Sequence, residues 1–149
     1  MQLIAIPADH LTTIWAMVAP FAEKIAARFP DEWPVAIIAE AAAAQDLQLW
    51  LVWDDTAKKP LGCVGTRIIV KPSGKRILDI AWMAGDERKR WMRLLEILED
   101  YARAEGCAAV SFVGRRGWAP DLPDYRVKRL AAYEKELNHV TESSHRRAA

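Results

Sequence analysis

The stretch RILDIAWMAGDERKRWMRLLEILEDYARAEGCAAVSFV, residues 76–113, decides the fold. Its first part, Arg76 to Ala84, reads as a strand. From Trp91 the apolar residues recur at Leu94, Leu95, Leu98 and Tyr101, the spacing of one buried helical face. A short apolar strand, Ala108 to Val113, follows. A helix between two strands argues for a crossover and a parallel or splayed pairing of those strands. Upstream, LGCVGTRIIV and RILDIAWMA flank the turn KPSGK, so they form an antiparallel hairpin.

The front of the helix poses a question of charge. Arg88, Lys89 and Arg90 fall in its first turn, where the unpaired N–H groups already carry a partial positive charge and cations are disfavoured by about 0.3–1 kcal/mol each. Two readings stand. In one, the three cations receive a phosphate with their side chains. In the other, Asp86 caps the helix, Asp86 and Glu87 supply the negative charge, and Asp86 pairs with Arg90 four residues on.

Working outward, QLIAI is a short strand before Pro7, and Asp9 is placed to cap a helix from about His10 to Arg28. An alanine-rich helix runs from about Pro34 to Gln45. LQLWLVWDD sets Leu47, Leu49, Leu51 and Trp53 on one face of a strand and Trp50 and Val52 on the other, so both faces are buried in part. GRRGWAPDLPDYRVKRLAAYEKEL gives a short helix or turn and then a strand from about Tyr125 to Leu137. The order predicts an α+β fold, a mixed, mostly antiparallel sheet flanked by helices. Residues 1–138 are expected to form one domain and the polar residues 139–149 a flexible tail.

Composition narrows the functional classes. The 149 residues carry 21 basic and 20 acidic side chains, a net charge of +1, so no general attraction to nucleic acid or anionic membranes is expected. Cys63 and Cys107 lack metal-ligand spacing and read as buried free thiols. The three histidines, His10, His139 and His145, are scattered, so no metal is expected. No signal peptide, membrane span, nucleophile elbow, phosphate-binding Walker loop or dinucleotide fingerprint is visible. A reducing cytosol, or a particle assembled there, is the expected location.

The element order, with LLEILEDYARAEG followed by a short strand, resembles the GNAT superfamily of N-acyltransferases over residues 2 to 137. The segment GRRGWAPDLPDYRVKRLAAYEKEL is most similar to small GNAT-like proteins of bacteriophages, which implies a bacterial host cytoplasm or a phage particle. In that superfamily a loop of the form Arg/Gln-x-x-Gly-x-Gly/Ala opens the central helix and cradles the pyrophosphate of acetyl-CoA, glycine admitting phosphate where a Cβ would intrude. Here Asp86, Lys89 and Trp91 stand at the three signature positions, and none matches. The resemblance implies cofactor contacts at Met83, Ala84, Arg88, Lys89, Arg90 and Trp91.

For catalysis the resemblance implies a base beside the fourth strand, where Asp79 stands, and a tyrosine acid in the short helix after the fifth strand; GRRGWAPDL holds no tyrosine, and Tyr125 just beyond it either substitutes or is a packed aromatic that begins the last strand. Alternation puts Asp79 with Ile77, Ala81 and Met83, opposite Leu78, Ile80 and Trp82. The competing reading pairs Asp79 with Arg67 or Arg76 across the hairpin. Arg115, Arg116 and Trp118 form an anion site, or a partner-binding patch with Trp118 as anchor, or Trp118 packs under the turn and the arginines face water. Two functions remain: an N-acetyltransferase with a degenerate coenzyme A loop, its acceptor amine unnamed, or a non-catalytic GNAT-derived phage protein acting as a virion-associated or host-interaction component.

Overall fold

Five strands form one sheet in the order β1-β2-β3-β4-β5: β1 (Gln2–Ala5), β2 (Gln48–Asp54), β3 (Lys59–Val70), β4 (Arg76–Gly85) and β5 (Ala109–Phe112). This computed structural model describes residues 1–114, 116–128 and 131–138. The first four strands are antiparallel neighbours, and β5 joins β4 in parallel after the helical crossover. Helices α1 (Leu11–Arg28) and α2 (Val35–Ala43) precede β2; α3 (Arg88–Trp91) and α4 (Leu95–Ala104) lie between β4 and β5. The mixed α+β architecture is the one the sequence predicts.

Residues paired across a ladder share a face of the sheet. Leu51 pairs with Cys63, and Cys63 with Ala84; Leu49 pairs with Gly65, and Gly65 with Trp82. This face packs Leu49, Leu51, Cys63, Trp82 and Ala84 against Val18, Phe21, Ala22 and Ile25 of α1 and Ile38 and Ala42 of α2. On the opposite face Trp50 donates its indole N–H to Thr66 Oγ1 at 2.9 Å and meets the ring of Tyr101 edge-on at 5.0 Å. That contact seats α4, whose Leu95, Leu98 and Ala102 are buried.

A bulge in β4 resets its alternation. Thr66 pairs with Ile80 and Gly65 with Trp82, leaving Ala81 as the extra residue. Asp79, Trp82 and Ala84 therefore share the α1–α2 face, and Met83 turns to the other side with Val64. The uniform alternation expected from the sequence placed Met83 with Asp79 and Trp82 opposite; one inserted residue reverses both.

Other local expectations change too. Asp9 does not cap α1: it lies inside a 3-10 turn, Ala8–His10, and the N-cap position is His10, without a side-chain cap bond. The long helix is broken into α3, a 3-10 turn at Met92–Leu94, and α4. The strand expected from Tyr125 to Leu137 is absent among the described residues there. Val127, Tyr133 and Leu137 are all exposed, so no apolar face is buried to hold a strand in place.

The chain divides into two units, one ending at Arg115 and one beginning at Arg116. Everything above to β5 belongs to the first. The described part of the second carries a 3-10 helix, Arg116–Asp121, followed by irregular chain. Residues 139–149, expected as a flexible tail, lie outside the described residues.

Candidate functional site

β4 is longer than its partner. Its pairing with β5 runs from Ile77↔Ala109 to Ile80↔Phe112 and stops at the bulge. From Ala81 to Gly85 the strand is bonded only to β3, so its other edge has no strand partner among the described residues. At about 3.3 Å per residue, this opening is roughly 16 Å long.

The opening leads into the loop that carries the basic turn. Gly85 takes φ +149°, and a Cβ there would lie 2.4 Å from the Leu61 carbonyl oxygen, so the position needs glycine. The Asp86 N–H donates to that same carbonyl at 2.9 Å. Glu87 follows in the left-handed region, φ +52°, and the Arg90 N–H closes a turn on the Glu87 carbonyl at 2.8 Å. Only four residues, Arg88–Trp91, are then helical before the 3-10 turn.

Trp91 fills the space beside this turn. It is 2% exposed, its ring lies over Gly62, where a Cβ would come within 3.3 Å of it, and its indole N–H donates to the Asp86 carbonyl at 2.9 Å. The glycine in β3 and the tryptophan twenty-nine positions later in the sequence are thus one packing unit.

The charges are answered within the protein. Arg90 reaches Glu87 at 2.9 Å and Asp54 at 3.5 Å, while Asp86 turns to Lys24 of α1 at 3.4 Å. The expected Asp86–Arg90 pair does not form, and Asp86 makes no side-chain cap bond; the left-handed Glu87 occupies the N-cap position. Asp54 is buried at the end of β2 and accepts the N–H groups of Thr56 and Ala57 at 3.0 and 3.2 Å. The Ala57 hydrogen bond, helped by Thr56 and Arg90 and opposed by burial, holds its carboxyl below the ordinary value of 3.8. Lys89 stays exposed.

The indole of Trp91 occupies the space beside the turn, the Asp86 carboxylate is 73% exposed at its mouth, and Arg90 is engaged by two carboxylates. Met83 and Ala84 do line the end of the β4 opening, with Met83 half-buried and Ala84 buried.

Asp79 lies on the α1–α2 face, 18% exposed, and its Oδ2 accepts the Arg67 Nε–H at 2.9 Å. Of the two arginines considered from sequence, Arg67 is the partner; Arg76 instead donates to the Glu105 carbonyl at 3.1 Å. The guanidinium of Arg67 stacks over Trp33, 5.6 Å from its ring centroid. Trp33, in the α1–α2 connection, was not a sequence candidate, because only the fold brings that connection over β3. Trp82, buried on the same face, has an indole N–H without a hydrogen-bond partner among the described residues.

The remaining candidates lie in the second unit or at its border. Tyr125 is half-buried and donates its backbone N–H to the Leu122 carbonyl at 3.0 Å. Trp118 is half-buried on the 3-10 helix, Arg116 opens that helix, and Arg115 lies outside the described residues. Both cysteines are free, Cys63 buried and Cys107 half-buried; burial pushes the Cys63 thiol up to about 12. Among the described residues no group of three His, Cys, Asp or Glu could hold a metal, and no helix is long and apolar enough to cross a membrane.

No protein-family model matches the chain, and neither does any curated protein. Solved structures do. A probable acetyltransferase superimposes with a TM-score of 0.65 at 12% identity, over 93% of this chain and 99% of the other. A ribosomal-protein-alanine N-acetyltransferase from Brucella melitensis biovar Abortus 2308 gives 0.64 at 12% identity, over 92% and 100%. The chain has the GNAT acetyltransferase fold. A third GNAT-like match, an aminoglycoside acetyltransferase from an uncultured soil metagenomic sample in complex with sisomicin, gives 0.62 at 10% identity, over 92% and 96%. Identities this low establish the shared GNAT architecture alone.

Proposed function

We propose that the protein is a GNAT-type N-acetyltransferase with a degenerate coenzyme A loop. The observation that carries this reading is the parting of β4 from β5 at Ala81, which leaves an open strand edge leading toward Asp79 and the α1–α2 face. In acetyl transfer from a thioester, an amine nitrogen attacks the acyl carbon and loses a proton. We assign that proton to Asp79, whose Oδ2 accepts the Arg67 Nε–H at 2.9 Å. Trp33, stacked on Arg67, supplies an aromatic wall beside the pair.

The test is amine-dependent thiol release from an acetyl thioester across a panel of primary amines. The reading expects release in the wild type and its loss in Asp79→Asn with the fold retained. Equal release from both proteins removes Asp79 from the chemistry.

The closed loop favours a second reading. Trp91 seated on Gly62, and Arg90 tied to Asp54 and Glu87, describe a site built to stay shut. On that reading the protein is a non-catalytic GNAT-derived component of a bacteriophage, virion-associated or directed at a host protein, with Arg115, Arg116 and Trp118 as its contact patch. Absence of thiol release with every amine, from a correctly folded wild type, selects it.

A further inference from the structure

A cavity lies at the end of β2 away from the basic turn. Asp54, the last residue of that strand, meets Arg90, whereas Gln48, the first, lines a cavity of about 470 Å³ together with Asp9, Gln45 and Tyr101. At about 3.3 Å per residue the two ends of β2 are roughly 20 Å apart. Ile6 and Pro7, which follow β1, line the cavity too, and β2 stands two strands from the β4 that carries Asp79. We infer that this cavity binds a small organic cation, a primary ammonium head on a short aliphatic body. The inference does not depend on the acetyltransferase reading and assigns no reaction to the bound amine.

Three observations lead there. Gln48 is fixed as an acceptor: its Nε2 donates to the Ile6 carbonyl at 2.9 Å and to the Leu49 carbonyl at 2.8 Å, so both amide hydrogens are committed and Oε1 can only accept. Asp9, expected from the sequence to cap α1, makes no cap bond and no ion pair among the described residues, and it lines the cavity instead. No Lys, Arg or His is among the lining residues, so the cavity carries one uncompensated negative charge. Gln45 supplies the third observation. It follows α2 in the left-handed region at φ +63°, where a helix end favours glycine, and a side chain kept there against the backbone preference stands in the cavity wall.

The shape of the site agrees with these charges. The Asp9 carboxylate, the Gln48 carbonyl and the Tyr101 hydroxyl offer an ammonium three kinds of acceptor. Ile6, Leu47 and Leu49 are buried and give an apolar wall for an aliphatic body. The volume lies within the range of small-molecule sites, about 300–1,000 Å³. An anion would be repelled by Asp9, and a neutral ligand would leave that carboxylate unanswered.

The experiment is NMR titration of the full chain with n-hexylammonium, n-hexanol and hexanoate, which share an aliphatic chain and differ in the charge of the head. The wild type should bind the ammonium at least about tenfold more tightly than either other probe, the worth of a hydrogen bond to a charged group. The shifts should change in residues 6–11 and 45–49. Asp9→Asn, at an exposed position, should bring the ammonium close to the affinity of hexanol. Gln45→Gly should melt at a higher temperature than the wild type and still bind the ammonium more weakly, whereas a purely structural Gln45 would change the melt alone. Equal affinity for the three probes, or unchanged binding in Asp9→Asn, overturns the inference, as does failure of the ammonium to bind at millimolar concentration. Shift changes at residues 79–85 in place of the cavity put the amine at the proposed acceptor carboxylate, which overturns the cavity assignment and leaves the acetyltransferase reading standing.

Discussion

Replacing Trp91 by alanine tests the closed loop through stability alone. The side chain is 2% exposed, its ring covers Gly62, and its indole N–H bonds the Asp86 carbonyl at 2.9 Å. Removing a buried aromatic side chain costs about 3–5 kcal/mol, the lost transfer energy plus the cavity left behind. The hydrogen bond adds little, because its carbonyl belongs to an exposed residue where water can replace the donor, against a usual net value of about 1 kcal/mol. A total of about 3–5 kcal/mol is therefore expected. For a chain of this length that corresponds to a fall in Tm of roughly 6–20 °C. Trp91→Phe keeps most of the packing and loses the bond, so it should cost much less, about 1–2 kcal/mol. Urea unfolding of the three proteins measures both differences. A cost below about 1 kcal/mol for Trp91→Ala, or equal costs for alanine and phenylalanine, would refute the packing argument.

Asp54→Asn should show a pH signature. The Asp54 carboxyl titrates below its ordinary 3.8 in the folded protein, so its contribution to stability is present above that value and is lost as pH falls through the native pKa. The wild type should be the more stable protein near pH 7, with the gap to the variant closing below pH 4 in denaturant midpoints. Gly85→Ala should destabilise by more than about 1 kcal/mol in the same assay, since its Cβ would meet the Leu61 backbone at 2.4 Å in a conformation that L residues rarely adopt. A thiol reagent at pH 8 should modify Cys107 in the native protein and spare Cys63, whose thiol titrates at about 12, with both reacting after denaturation; mass spectrometry reads the two sites.

Much of the architecture was legible because period and punctuation agree. The 3.6-residue recurrence from Trp91 to Tyr101, the KPSGK turn between two apolar runs, and a short apolar strand after a helix leave few alternatives to a hairpin with a parallel crossover strand. What was not legible depends on tertiary choices. The bulge at Ala81 leaves no mark in the local pattern, yet it moves Trp82 onto the Asp79 face and Met83 off it. The basic turn reads as a helix start, but Asp54 and Lys24, residues distant in sequence, decide where its charges go. Trp91 repeats the lesson: its helical spacing says buried, and only the fold shows Gly62 beneath it. In the second unit the failure ran the other way. An apparent strand from Tyr125 lacked a buried face, and irregular chain stands in its place at Arg126–Lys128 and Ala131–Asn138.

On the proposed reading Trp91, seated over Gly62, keeps the pyrophosphate of acetyl-CoA out of the loop after β4. Thermal unfolding with and without millimolar acetyl-CoA, on the wild type beside the Trp91→Gly, Lys89→Gly variant, tests it most directly. A ligand at 100 times its dissociation constant adds about 2.7 kcal/mol, a rise of roughly 5–11 °C in Tm for a chain of this length. The glycine variant, compared with its own ligand-free melt, should gain clearly more than the wild type does. A wild-type shift equal to or larger than that of the variant would contradict it, because the loop would then hold the nucleotide with the indole in place.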